Sequence, residues 1–136
     1  MRGKTLTNHE LFQFPNITPL QECDDEYAEI VQKYSNNREK IKKKLLILLD
    51  MLNSTKNIAD LCKTSNFEKL TGVSESLYAL KVKTGCNIRI IFSYEKDGSI
   101  LLLMFEEKQG KKKTDYSEAI PIAIKRLKAA KGGKQW

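Results

Sequence analysis

The stretch LYALKVKTGCNIRIIFSYEKDGSILLLMFEEK, residues 77–108, decides the fold. Leu77–Lys83, Asn87–Tyr94 and Ser99–Phe105 combine alternation with β-branched or aromatic content, which predicts three strands. Thr84-Gly85-Cys86 reads as a turn between the first two, and Asp97-Gly98 is a hairpin signal between the second and third. The run Ile100 to Phe105 is apolar on both faces, which suits a central strand buried on both sides. Upstream, Ile41, Leu45, Leu48, Leu49 and Leu52 form the apolar stripe of a helix predicted to start at Asn36, with Glu39 three residues on. Its opposite face opens with Lys40, Lys42, Lys43 and Lys44, read as a solvated face rather than a nucleic-acid contact. An earlier helix buries Tyr27, Ile30, Val31 and Tyr34, and carries Glu22, Asp24, Asp25, Glu26 and Glu29 at the positive end of its dipole. Thr18 is its expected cap, with Pro19 in the first helical position and Gln21 completing a capping box. Leu11-Phe12-Gln13-Phe14 is the expected first strand, ended by Pro15. Near Asp115 a last helix begins, with Ile120, Ala123, Ile124 and Leu127 on one side and Pro121 confined to its first turn.

The predicted fold is therefore α+β: an N-terminal strand, a helical hairpin, a three-stranded antiparallel meander completing a small sheet, and a C-terminal helix. At 136 residues the chain suits one domain, 1–136, with 131–136 a frayed basic tail. A composition 40% hydrophobic and 30% charged is that of a water-soluble globular protein. No apolar run spans a membrane, and the polar start lacks an export signal, so a cytoplasmic location is expected.

The net charge of +7 is unevenly placed. Residues 1–107 carry fifteen cations and fifteen anions, so the whole excess comes from nine basic and two acidic residues in 108–136. A basic end of this kind favours a polyanion or an acidic protein partner. Scarcity removes other chemistries. His9 is the single histidine, which excludes a two-histidine ribonuclease site. Cys23, Cys62 and Cys86 lack the paired spacing of a zinc site and read as reduced, part-buried thiols. No glycine-rich phosphate loop is present. An ATPase, a zinc hydrolase and a nicotinamide enzyme are all disfavoured.

Period-two alternation groups the charges. Tyr78, Leu80 and Val82 share one face of their strand, leaving Lys81 and Lys83 on the other. Ile88, Ile90, Phe92 and Tyr94 share a face of the next strand, leaving Arg89 opposite. If both apolar faces meet the helical hairpin, Lys81, Lys83 and Arg89 emerge together on the uncovered face, with no acid among them on those strands. Like charges opposed on a sheet destabilise it. The cluster is either a seat for an anionic ligand or three ordinary solvated residues.

Residues 77–108, followed by KKKTDY and AIPIAIKRLK and preceded by FEKLTG, resemble the RelE/HigB-like toxins of bacterial type II toxin–antitoxin modules (RelE/ParE superfamily), in particular the phage-derived HigB-like branch. The shared pattern is Leu-Tyr-x-Leu-Lys-x-Lys on one strand, Arg-Ile-x-Phe on the next, an apolar strand ending in Phe, a Lys-rich loop and a basic helix. The resemblance implies a RelE-like fold and a ribosome-dependent messenger-RNA endonuclease (an mRNA interferase). Such an enzyme inhibits translation until neutralised by an antitoxin, a protein expected to carry a helix-turn-helix. It implies cleavage by the RNA's own 2′-hydroxyl, with no metal and no cofactor. Lys83 is then the candidate base, Arg89 the fork on the phosphate oxygens, and Lys81 a sharer of that charge. Tyr116 stacks on a base, donates a proton, or merely packs the last helix. Glu107 serves as a general base or pairs with Lys108 or Lys81. Lys108, Lys111, Lys112, Lys113 and Arg126 are the expected RNA contacts. Many relatives have Phe-x-Lys-Lys where this chain has Phe105-Glu106-Glu107-Lys108. Two other readings stay open: a ParE-like toxin that inhibits DNA gyrase by protein contact, and a non-catalytic phage-derived RNA-binding protein.

Overall fold

The computed structural model describes residues 14–73, 76–95, 98–107 and 116–132. The elements run β1 (Ile17–Pro19), α1 (Gln21–Lys33), α2 (Arg38–Ser54), α3 (Ile58–Leu61), β2 (Phe67–Lys69), β3 (Leu77–Lys83), β4 (Asn87–Glu95), β5 (Gly98–Glu106) and α4 (Ala119–Gly132). The strands form one five-stranded sheet in the order β1-β5-β4-β3-β2. All pairs are antiparallel except β1 with β5. The fold is α+β, as the sequence predicts, but the sheet lies between two unequal helical layers, so the face expected to be uncovered is partly covered by α4.

The hairpin of α1 and α2 covers one face. All five stripe residues of α2 are at most 2% exposed, and they pack on Tyr78, Leu80, Ile88, Ile90 and Phe92. Burying each contributes roughly 1.5–3 kcal/mol. Helix α4 covers part of the other face, setting Ala119, Ala123 and Leu127 on Leu77, Ala79, Ile91, Leu102 and Leu103. Pro121 falls in its first turn, where no intrahelical bond is lost.

Three local expectations are corrected. Thr18 and Pro19 belong to β1, paired with Ile100 and Leu101, and do not start a helix. Leu20, in extended conformation, is the N-cap of α1, and no side chain caps it. Proline is tolerated at Pro19 because β1 is an edge strand. The first strand among the described residues is Ile17–Pro19; Phe14, the end of the expected Leu11–Phe14 strand, lies outside any strand, and Leu11, Phe12 and Gln13 lie outside the described residues. Helix α2 starts at Arg38, after a 3-10 turn of Ser35–Asn37. His9 also lies outside the described residues.

Two turns have specific backbone demands. Gly85 sits at φ +90° in the β3–β4 turn. Gly98 pairs with Glu95 as the first residue of β5, and its φ is +131°. A Cβ there would lie 2.7 Å from the carbonyl oxygen of Asn16, which accepts the Ser99 N–H at 2.8 Å. Gly98→Ala therefore strains the backbone and pushes β1 off β5. A loss of about 1–3 kcal/mol is expected, read as a lower denaturant midpoint at unchanged slope.

Between Ile91 and Phe92 the β4–β5 register shifts: Ile91 faces Leu103 and Phe92 faces Leu101, so Leu102 is an extra residue in β5. This bulge puts Leu102 and Leu103 together on the α4 side, and it sets which face every later residue occupies. Beyond β1 the edge of β5 is covered by a clasp. Arg126 makes two bonds to Glu26, at 3.1 and 3.0 Å, and donates to the Leu102 carbonyl at 2.9 Å. Glu26 in turn accepts the Met104 N–H at 2.9 Å. An edge satisfied by side chains is closed to further strand pairing.

Candidate functional site

The candidate site lies on the sheet face turned away from the α1–α2 hairpin. On β3, Lys81 and Lys83 alternate with the buried Leu80 and Val82. On β4, Arg89 is the direct partner of Lys81, and across β5 it is the partner of Phe105. The period-two reading thus assigns the three cations to the correct face.

That face is neither bare nor free of acids. Arg89 is only 6% exposed and pairs with Glu107 at 2.6 Å, itself 9% exposed at the side chain. Lys81 pairs with Glu68 at 2.9 Å. Glu68 comes from β2, a strand absent from the sequence-based expectation, and it also accepts from the Tyr116 hydroxyl at 3.5 Å. These two carboxylates explain why Lys81 and Arg89 can sit directly opposed, since each like charge has a counter-charge beside it. Lys83 is exposed and forms no ion pair among the described residues. The three cations are therefore unequal: two are held by carboxylates, and the third faces solvent.

The bulge in β5 separates the adjacent carboxylates. Glu106 pairs across the sheet with Ile88 on the hairpin side, where it receives bonds from the Tyr34 hydroxyl and from Lys33 at 3.0 Å. Burial pushes its carboxyl up, but those two donors outweigh burial and leave it below the ordinary carboxylate value. The same bond to Glu106 raises the Tyr34 hydroxyl. Glu106 is thus a tie between layers. Glu107 falls on the opposite face, its N–H bonded to the Asn87 carbonyl at 2.8 Å. Its partner is Arg89 rather than Lys81, and Lys108 lies outside the described residues.

Tyr116 stands just before α4, half-buried, its ring edge-to-face with Phe105 at 6.1 Å. It therefore both packs the last helix and reaches the Glu68–Lys81 pair. Lys111, Lys112 and Lys113 lie outside the described residues, in the segment joining Glu107 to Tyr116. Arg126, expected as an RNA contact, is engaged in the Glu26 clasp on α1 and β5. Burial alone lowers its pKa, but the hydrogen bonds and charge of Glu26 raise it overall. Cys23 and Cys86 are buried and Cys62 is half-buried, all three as free thiols. Burial raises each of them, which leaves them poor nucleophiles. No described helix is long and apolar enough to cross a membrane.

The chain is thus an α+β protein in which a mixed sheet is backed by a helical hairpin and carries a carboxylate-braced cation cluster and an aromatic rim on its other face. The chain belongs to the HigB-like toxin family, described as the RelE-like toxin of type II toxin–antitoxin system HigB, which residues 22–108 match. The match takes in Glu68, Lys81, Lys83, Arg89 and Glu107 and reaches back to α1, further than the residues that carry the resemblance in sequence. No curated protein and no solved structure matched the chain. Membership of a type II toxin family implies an antitoxin partner.

Proposed function

We propose that the protein is a messenger-RNA endonuclease that acts on transcripts engaged by the ribosome and is neutralised by its antitoxin. What supports this reading best is one observation: a solvent-facing lysine stands beside a guanidinium and a second lysine that carboxylates hold in fixed positions. The cleavage it suits is transesterification. The RNA 2′-oxygen attacks the adjacent phosphorus, the bond to the 5′-oxygen breaks, and a 2′,3′-cyclic phosphate and a 5′-hydroxyl result. Such a step needs a proton acceptor at the 2′-hydroxyl, positive charge at the non-bridging oxygens, and a proton for the departing 5′-oxygen.

In this reading Lys83 is the base. Arg89, oriented by Glu107, supplies fixed positive charge, and Lys81 supplies a second cation. Glu107 orients Arg89 instead of accepting the 2′-proton. Tyr116 delivers a proton or stacks on a base next to the Glu68–Lys81 pair. Lys108, Lys111, Lys112 and Lys113 add phosphate contacts, because their charge lies in the segment that joins Glu107 to Tyr116. Arg126 is left out of the RNA surface on account of its clasp with Glu26. The antitoxin is taken to carry a helix-turn-helix, and the setting is the cytoplasm, where ribosomes are.

Two assays run side by side test the activity. Ribosomes programmed with a defined transcript should yield discrete cuts, while gyrase supercoiling in the presence of the protein should proceed normally. Inhibited supercoiling with intact transcripts would establish the gyrase-directed alternative. Harmless expression without any antitoxin would point to the non-catalytic one.

A further inference from the structure

The outer face of α2 carries an open groove of about 530 Å³ that the cation face does not use. Lys40, Lys43, Lys44 and Ile47 form its helical wall, and Thr84 and Gly85 of the β3–β4 turn form the other. The turn lies close to the helix start: a Cβ on Gly85 would come within 3.4 Å of the Asn37 side-chain nitrogen. Lys40, Lys44, Ile47 and Met51 recur at i, i+4, i+7 and i+11, so they make one continuous stripe. None of the three lysines forms an ion pair among the described residues. Glu39 and Asp50 are on the same helix, but neither lines the groove.

Ile47 is 51% exposed and Met51 37%, two of the three large hydrophobics exposed among the described residues. A single exposed apolar residue is ordinary, but two in line with two cations, Lys40 and Lys44, and next to a third, Lys43, make a surface of mixed demand. A phosphodiester backbone would use the lysines and gain nothing from Ile47 and Met51. A helix with apolar residues on one side and carboxylates flanking them would use both. The charge of the groove selects the acidic partner, and the exposed Ile47 in its wall, with Met51 one turn further along the helix, selects peptide over nucleic acid.

We propose that this groove seats an acidic amphipathic helix of the antitoxin. The identity of the occupant rests on the family's antitoxin partner, but not on the nuclease reading. The hairpin layer lies on the opposite side of the sheet from Lys81 and Arg89, so docking and cleavage use different surfaces. The groove nevertheless ends at Thr84, one residue from Lys83, so a seated helix reaches the rim of the cation face.

The test titrates isotope-labelled full-length protein with two probes: a designed helical peptide with leucines on one face and glutamates around them, and an oligouridylate. The peptide should shift the backbone amides of Lys40–Met51 and of Thr84 and Gly85, with affinity falling as salt rises. Lys40→Glu combined with Lys44→Glu, and separately Ile47→Ser, should each weaken it by at least about tenfold. All three changes lie on exposed or half-exposed positions, so the fold survives, and transcript cleavage by the charge-reversed protein should stay at the wild-type rate. The proposal is overturned if the oligouridylate shifts these amides and the peptide does not, if neither does, or if Ile47→Ser leaves peptide affinity intact. Because amide shifts need no cleavage, a protein without nuclease activity would still show whether the peptide occupies the groove.

Discussion

Replacing Arg89 with alanine should lower the unfolding free energy by about 3–5 kcal/mol, the largest stability effect expected on the sheet. The guanidinium and its Glu107 partner are 7% and 9% exposed at their side chains, with 2.6 Å between the bonded atoms. Removing the cation leaves a carboxylate in low dielectric without its principal counter-charge, and that desolvation is what the measurement reads. Glu107→Ala should cost a similar amount for the converse reason. The double change Arg89→Met with Glu107→Leu should recover most of the loss, because a buried ion pair is roughly interchangeable with apolar groups that fill its volume. Chemical denaturation of the two single variants and the double variant closes a cycle. Single variants within about 1 kcal/mol of wild type would mean that water reaches the pair and the brace is absent. Lost activity in Arg89→Ala is thus uninformative about catalysis unless the variant is shown to be folded.

Lys83→Ala avoids that difficulty and should have the largest effect on rate. The side chain is exposed and free of ion pairs among the described residues, so stability should change by no more than about 0.5 kcal/mol. Single-turnover cleavage on programmed ribosomes should slow by about 10²–10⁴, the usual contribution of a positioned base. Lys83→Arg separates two roles. Arginine keeps the charge but does not give up its proton, so a base is lost and a phosphate contact is retained. Rates equally low in both variants identify proton transfer. A rate restored by arginine would make Lys83 a phosphate contact and move the base elsewhere.

Much of this architecture is written in local pattern. The α2 stripe is buried residue for residue, and the three meander strands lie within a residue or so of their predicted ends. Alternation alone sets Lys81, Lys83 and Arg89 on the correct face, because Leu80, Val82, Ile88 and Ile90 have no other place to go. What is illegible depends on distant partners. Strand β1 has three residues, and it forms because Ser99–Leu101 is there to pair with it; the capping signal from Thr18 to Gln21 is locally stronger and points to a helix instead. Strand β2 is equally short, so nothing local marks Glu68, even though the FEKLTG segment around it carries part of the family likeness. The uniformly apolar run from Ile100 to Phe105 gives no hint of a bulge at Leu102. Yet that bulge sends Glu106 to the hairpin layer and Glu107 to Arg89. A strand apolar on both sides conceals its own register.

The 2′-hydroxyl is the nucleophile on which the proposed reaction turns, so the most direct measurement removes it. A transcript carrying one 2′-deoxynucleotide on the 5′ side of a mapped cut, loaded on ribosomes, should resist cleavage there, while the unmodified transcript yields a 2′,3′-cyclic or 3′-phosphate end opposite a 5′-hydroxyl. Cleavage of the deoxy-substituted transcript at the same bond, at an undiminished rate, would contradict the proposed chemistry.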